Sequence, residues 1–232
     1  MYIQHSADIW SAHPELVAGV VAATGITADA EVGARVEEFS AAARARLAAG
    51  PEGEFPEIQA WRRAFSRMGL KPTQYRCAAE ALLRRLRKEG ALPRIHPLID
   101  LCNAISTAYA VPVAALDVTR ISKGLDVRLA HGDEVYHTLS GQVEHPGPGE
   151  VIFADAAGHA HARRWTNRQS GHSAVRDGTA TVLIVMEAMH PSAAGDVPRL
   201  VSTLAAELTA VWGGTPATAV LSRSAPRAEF AV

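Results

Sequence analysis

The chain has 232 residues, enough for one large domain or two small ones with a sizeable core. Hydrophobic residues make up 48% and charged residues 20%, which is typical of a globular protein and excludes a largely disordered chain. Lys and Arg number 23 against 24 Asp and Glu, so the overall charge excludes a broadly basic nucleic-acid-binding protein. Any contact with RNA must therefore come from a local patch.

The first half of the chain is predicted to be mainly helical. The apolar run 16–26 is typical of a buried strand. Apolar residues at helical spacing then predict four helices, which are separated by Gly and Pro: 31–49, 56–69, 71–90 and 97–109. The two cysteines, Cys77 and Cys102, lie in helical segments, and we expect buried free thiols and no disulfide.

The second half is predicted to form strands and one last helix. Short β-branched or alternating segments predict strands at 112–121, 125–130, 134–139, 151–154 and 179–186. An amphipathic helix follows at 197–212, and the tail 216–232 is predicted to be disordered. The expected fold is α+β: a single domain over 1–215 with its helices grouped ahead of an antiparallel-rich sheet.

No secretory leader and no membrane span is evident in the sequence. The N-terminal region lacks a basic segment followed by an apolar core, and no apolar run approaches about 18 residues. We therefore expect a cytoplasmic protein with no membrane partner, and nothing indicates a DNA partner.

A dense run of polar side chains lies between the predicted strands, from Arg163 to Ser170 (RRWTNRQS). It holds three guanidiniums, an indole, two carboxamides and two hydroxyls. Such a run either lines a pocket or forms a solvated hairpin loop. Trp165 favours the pocket, because a large aromatic side chain contributes little on a mobile loop.

Metal and cofactor sites have little support in the sequence. His159 and His161 place two imidazoles on one face of a strand, but no third ligand stands at a defined spacing. Surface histidines beside a turn are the alternative, and we expect no metal. Glycine-rich phosphate loops and a Gly-x-Ser-x-Gly elbow are both missing, so we expect no cofactor and no side-chain nucleophile.

The predicted helix 71–90 and the residues just after it are locally basic. Seven Lys and Arg face only two Glu between Lys71 and Arg94, although the whole chain is nearly neutral. Arg84, Arg85 and Arg87 are candidates for holding a phosphate backbone. The alternative is an ordinary solvated helix face, since Lys and Arg are good helix formers.

Two long motifs and several single residues resemble one known family. The motifs are YRCAAEALLRR at 75–85 and LPRIHPLIDLCN at 92–103, and the later matches are Pro112, Asp117, Val127-Arg128, Gly132, Glu134, PGEVIFAD at 148–155, RRWTNRQS and Thr179. In this order they resemble the editing domain in the beta chain of bacterial-type phenylalanyl-tRNA synthetase, and especially its freestanding relatives. The resemblance covers 61–186, over half of the chain.

The resemblance implies an α+β fold and hydrolysis of a wrong aminoacyl ester on tRNA. Because the other synthetase domains are missing from the sequence, we expect action in trans on released aminoacyl-tRNA. The family's tyrosine contacts are not retained: Ala114 replaces a His, and no acid stands near Ser173-Ala174. The polar run also replaces a small glycine-rich loop, so a preference for tyrosine is unsupported.

Ester hydrolysis needs a placed water and donors to the oxyanion rather than a strong nucleophile. We assign those catalytic roles to Arg164, Asn167 and Arg168, and substrate binding to a group described by its polar or aromatic side chains: Asn103, Trp165, Gln169 and Glu187. Asn103 has an equally weighted alternative as a hydrogen bond that pins a neighbouring loop. The sequence thus predicts an aminoacyl-tRNA deacylase that acts without metal or cofactor. The alternative is a non-catalytic module that binds tRNA or an amino acid.

Overall fold

A computed structural model describes residues 1–231 of the chain. Six α-helices form in this part, and they are numbered in chain order: α1 Ala7–Ala12, α2 Gly33–Ala49, α3 Pro56–Arg67, α4 Ala78–Glu89, α5 Pro97–Tyr109 and α6 Ala193–Trp212. The twelve strands are β1 Tyr2–His5, β2 Val17–Thr24, β3 Val113–Asp117, β4 Gly124–Leu129, β5 Tyr136–His137, β6 Val143–Glu144, β7 Val151–Ala154, β8 Ala160–Arg163, β9 Arg168–Gln169, β10 Thr181–Ala188, β11 Ala217–Leu221 and β12 Arg227–Glu229. None of the helices is both long and apolar enough to cross a membrane.

The strands form two large sheets and one short hairpin. The larger sheet has the order β12-β1-β4-β7-β8-β9, and the second has the order β11-β2-β10-β3. Every pairing in them is antiparallel except the parallel pair β1–β4. With most of the helices ahead of these strands, the predicted α+β class is confirmed.

The four-stranded sheet lies at the centre of the molecule because both of its faces are apolar. Alternate residues of β2 and β10 point to opposite sides. Val21 and Ile184 pack with α5 and α6, whereas Val20 and Val185 belong to the core shared by α3, α4 and the six-stranded sheet. Gly19 lets α6 approach β2 closely, since a Cβ there would collide with Val201. Strands buried on both faces explain why the run 16–26 is continuously apolar.

Two sequence predictions about boundaries were wrong. The tail expected to be disordered contains β11, which pairs with β2, and β12, which pairs with β1. Small residues with alternate burial are sufficient for an edge strand, and Leu221 and Phe230 are buried. The basic helix also begins at Ala78 and not at Lys71, because residues 72–74 form a turn around Pro72.

Candidate functional site

The polar run 163–170 is a hairpin turn between β8 and β9. Arg163 pairs with Arg168 across the hairpin, and Arg164 and Trp165 occupy the turn with positive φ angles of 46° and 59°. This left-handed conformation costs a non-glycine residue about 1–2 kcal/mol. A backbone hydrogen bond from Trp165 N–H to Val151 O, 2.8 Å long, holds the turn back against β7. Strained residues of this kind persist where the surrounding structure fixes them, and they cluster at functional sites.

The strained turn places the Trp165 side chain in the core, where it is fully buried. Its indole Nε1 donates to the Glu187 carboxylate over 2.9 Å, and its ring packs edge-on against Trp61 and His13 with centroids 5.1 and 4.8 Å away. Trp165 is thus placed to wall a pocket. The alternative that it stacks on a terminal adenosine is incompatible with this burial.

Glu187 is a buried carboxylate at the edge of the same pocket. Besides Trp165, its Oε1 contacts His5 Nε2 at 2.6 Å, and its backbone carbonyl accepts from Trp61 Nε1 at 3.2 Å. A carboxylate in such a place requires several partners, because an unpaired buried charge is strongly unfavourable. His5 was not foreseen as part of this site, since nothing in the pattern of its short strand indicates one.

The pocket itself has a volume of about 70 Å³ and lies beside the hairpin, at the N-terminus of α4. Its walls come from β3, β7, β8 and β10 and are mostly apolar. The lining residues are Ala78, Pro112, Val113, Ala114, Phe153, Ala162, Trp165, Thr166, Asn167, Arg168, Gln169, Val185 and Glu187. Five predicted site residues therefore meet here: Trp165, Asn167, Arg168, Gln169 and Glu187.

Two carboxamides line this pocket in fixed orientations. Asn167 Nδ2 donates to Arg76 O and Gln169 Nε2 donates to Ala115 O, each over 2.7 Å. Because both partners are carbonyl oxygens, the nitrogen must face them, and each amide oxygen is turned the other way. Within residues 1–231 no protein donor bonds to either oxygen. The amide groups that we predicted as oxyanion donors therefore present acceptors to the pocket.

The arginines of the run pair with acids on the neighbouring loop. Arg163 bonds to Glu150 at 2.9 Å and to Glu144 at 2.5 Å, and Arg168 bonds to Glu144 at 3.0 Å. The hydrogen bond from Arg168 is the main cause that lowers the pKa of Glu144. Arg168 keeps further N–H groups for a ligand, since a guanidinium carries five.

Two predicted site residues lie outside the pocket. The Arg164 guanidinium stacks over the Tyr75 ring at 4.9 Å and does not line the pocket. Asn103 lies in the middle of α5, half-buried, and also does not contribute to the lining. A helix-end position for Asn103 was wrong, because α5 continues to Tyr109.

The basic face of α4 is partly neutralised by acids from elsewhere in the chain. Arg84 and Arg87 lie 3.4 and 3.3 Å from the carboxylate of Glu52, which is buried, and Arg85 pairs with Glu89 at 2.8 Å. The charge excess is therefore smaller than the sequence of the helix indicates. All three arginine side chains remain largely exposed, and their binding of tRNA stays a prediction.

The two cysteines are fully buried free thiols, as expected. Burial raises the pKa of both Cys77 and Cys102 to about 12, so neither forms a thiolate at neutral pH. Neither one lines the pocket.

Comparison with known proteins places this architecture. Residues 60–200, more than half of the chain, match the B3/4 domain. The chain belongs to the B3/4 domain family. The pocket described above lies almost entirely in the matched region, with His5 of β1 added from outside it.

Curated relatives of this B3/4 domain are beta subunits of phenylalanine–tRNA ligase. That of Thiobacillus denitrificans is 36% identical over 74 residues, which is 32% of this chain and 9% of the relative. That of Shewanella oneidensis is 31% identical over 101 residues, 43% of this chain and 12% of the relative. The chain thus spans only about a tenth of the length of these relatives. An N-terminal fragment of the phenylalanyl-tRNA synthetase beta subunit from Pyrococcus horikoshii aligns with a TM-score of 0.47 at 11% identity, over 92% of this chain and 49% of that one.

Proposed function

We propose that this B3/4 domain hydrolyses the ester bond of a mischarged aminoacyl-tRNA in trans. The observation that carries the proposal is the pocket in which five polar or aromatic residues of a B3/4 domain converge, with two amide oxygens held toward it. The relation to synthetase beta subunits supports a substrate that carries tRNA. The proposed residues also require no metal or covalent intermediate.

The amide oxygens suit the positive and hydrogen-donating parts of such a substrate. Asn167 Oδ1 and Gln169 Oε1 would accept from the α-ammonium group and from the attacking water, which must be held close to the ester carbon. Arg168 would donate to the oxyanion that forms on the ester carbonyl. In this scheme Trp165 and Glu187 position the turn and do not themselves react.

The walls of the pocket define the amino-acid side chain that it favours. Pro112, Val113, Ala114 and Val185 offer apolar atoms, and the volume is small. A small apolar side chain gains from burial there, whereas a charged one would lose its hydration without a partner. We propose a small apolar amino acid as the esterified group.

The test is a panel of tRNAs, each charged with a radiolabelled amino acid that is wrong for it, incubated with the protein. Loss of label from at least one mischarged tRNA, faster than from the same tRNA with buffer alone, is expected. The correctly charged partner of each tRNA serves as the control. If no ester is cleaved but the tRNAs still bind on a filter, the non-catalytic binding module replaces the hydrolase.

A further inference from the structure

Four of the ten histidines meet at one place outside the pocket. His137 lies on β5, His159 in the turn before β8, and His172 just after β9, while His161 is fully buried on β8. Backbone bonds hold these segments side by side: Ala160 N–H donates to Val135 O over 2.9 Å and Gly171 N–H to His137 O over 2.8 Å. Sequence spacing indicated only two of these imidazoles, because the strands and not the local chain supply the others.

Three of the rings are spaced as ligands of one metal ion would be. The ring centroids of His137, His159 and His172 are 4.3, 5.4 and 6.1 Å apart. Zn–N bonds of roughly 2.0–2.1 Å at tetrahedral angles place imidazole centroids about 5 Å apart. The rings are close to parallel, at 14° to 37°, so each would turn about its side-chain torsions to aim one nitrogen at a common centre.

The groups behind these rings are those of a metal site. His159 Nδ1 is 3.6 Å from Asp155 Oδ1, which leaves its Nε2 for an ion, and metal-bound histidines usually face a carboxylate through their second nitrogen. Asp155 is itself fixed by the backbone N–H groups of Ser122 and His159, both at 2.9 Å. His161 is already engaged, with Nδ1 2.7 Å from Ser173 Oγ and Nε2 3.4 Å from Asp155 Oδ2.

The ring nitrogens also lack other partners. Among the described residues 1–231, His137 Nδ1 and His159 Nδ1 are buried without a hydrogen bond, and so is His161 Nε2. Buried polar atoms in native proteins are nearly always satisfied, so unpaired nitrogens in one cluster indicate a missing partner. His137, His159 and His172 are each only half-buried, which gives an ion a way in.

We propose that His137, His159 and His172 bind one divalent transition-metal ion, with Zn²⁺, Co²⁺ and Ni²⁺ as the class that imidazole ligands favour. The fourth coordination position is left to water. This proposal replaces the expectation of surface histidines without a third ligand, and it does not depend on the proposed hydrolysis.

The test uses tag-free protein stripped with a chelator and then titrated with CoCl₂ and ZnCl₂. One equivalent of Co²⁺ is expected to give visible absorption bands, and Zn²⁺ should displace it. His137→Gln and His172→Gln should each weaken Zn²⁺ binding by roughly tenfold or more, and the double variant should abolish it. Circular dichroism and melting without metal establish that each variant is folded.

The matched control is His131→Ala. His131, whose side chain is 73% exposed, forms with Asp133 and Glu134 a second group near enough to hold an ion. Its carboxylate Glu134 is already bonded to Arg128 and to backbone N–H groups, so this variant should bind Zn²⁺ as tightly as the parent. Loss of binding in His131→Ala alone, or no binding by the parent chain, would overturn the proposal. A variant that fails to fold is replaced by proton NMR of the parent, in which Zn²⁺ should shift three histidine ring signals and no shift would refute the site.

Discussion

The indole nitrogen of Trp165 and the carboxylate of Glu187 are joined by a 2.9 Å hydrogen bond that ties the hairpin turn to the central strand β10. The same carboxylate oxygen contacts His5 on β1. One buried group therefore connects both large sheets with the strained turn that carries the pocket residues. The turn keeps its left-handed backbone because Trp165 is held at both its N–H and its ring.

Trp165→Phe should lower the free energy of unfolding by about 1–3 kcal/mol. The substitution keeps an aromatic ring but removes the donor to a buried carboxylate, which then stays partly unpaired. Urea unfolding measures the change. Trp212→Phe is the control, because its indole donates to Thr27 O at a more exposed position. Equal losses in both variants would contradict the anchoring role of Glu187.

Asn167→Ala and Gln169→Ala should each lower kcat for ester hydrolysis by about tenfold to a thousandfold while the fold is kept. The physical reason is the loss of an oriented acceptor in the pocket. Single-turnover deacylation of the best tRNA from the panel is the measurement.

Two further variants separate the pocket from its surroundings. Gln142→Ala removes an exposed carboxamide on the neighbouring loop and should change nothing. Arg164→Ala should cost little, since its guanidinium stacks on Tyr75 away from the pocket. A decrease in rate in Arg164→Ala as large as in Asn167→Ala would restore the catalytic role that the sequence indicated for Arg164.

The α4 arginines should affect binding of every tRNA alike. Arg85→Gln is expected to weaken affinity uniformly and to reduce the slope of log K against log salt by about 0.7–0.9 for each phosphate that is no longer neutralised. Arg84→Gln with Arg87→Gln should do the same and also destabilise the fold, because the buried Glu52 loses both arginines. Arg44→Gln on α2, an arginine of similar exposure, is the control. Unchanged affinity at low salt in all of these variants would exclude α4 from the tRNA-binding surface.

Acid should unfold the protein partly through Glu134. Burial alone would raise its pKa, but hydrogen bonds from the His131 and Gly132 backbone N–H groups and from Arg128 outweigh burial and hold the pKa at about 2, below its ordinary value of 4.5. Since the folded pKa is the lower one, this stabilisation is complete above pH 4.5 and is lost as the pH falls toward 2.

Glu134→Gln should therefore be less stable than the parent by about 1.5–3 kcal/mol at pH 7, and the difference should shrink below pH 4.5. Melting temperatures across pH 2–7 provide the measurement. Glu31→Gln, at an exposed position, should follow the parent curve throughout. A Glu134→Gln difference that is independent of pH would show that packing, not charge, is responsible.

The C-terminal strand β11 should contribute measurably to stability. Leu221 is 1% exposed and Val220 is 39% exposed on the same strand. Leu221→Ala should cost about 2–5 kcal/mol through reduced burial and a cavity, and Val220→Ala should cost less than about 0.5–1 kcal/mol. Chemical denaturation compares the two. Equal, small effects would mean that this segment is not packed in solution.

Hydrophobic periodicity was sufficient to predict most helices, the long strands and the residues of the pocket wall near 165–169. The identity of the atoms facing the pocket was not predictable. Carboxamides have a donor and an acceptor, and only the positions of Arg76 O and Ala115 O decide which one is free. Arginine pairing was equally hidden, because Glu144 and Glu150 reach the run from another loop.

Long-range interactions account for the remaining misses. His5 and Glu187 are 182 residues apart, and β1 is too short to show a period of its own. The four-histidine cluster likewise depends on how β5 lies against β8. Interactions of this kind are set by strand order, which local propensity does not encode.

The order of the central sheet has a consequence for synthesis of the protein. Strand β2 pairs only with β10 and β11 within the described residues, so its partners emerge from the ribosome roughly 160 residues later. At about 5–20 residues per second, that delay is roughly 8–30 s. During this time VAGVVAAT, which carries no charge, is an unpaired β-segment of the kind that associates between chains. Recombinant yield should therefore improve at low temperature or with extra chaperone that covers nascent apolar segments.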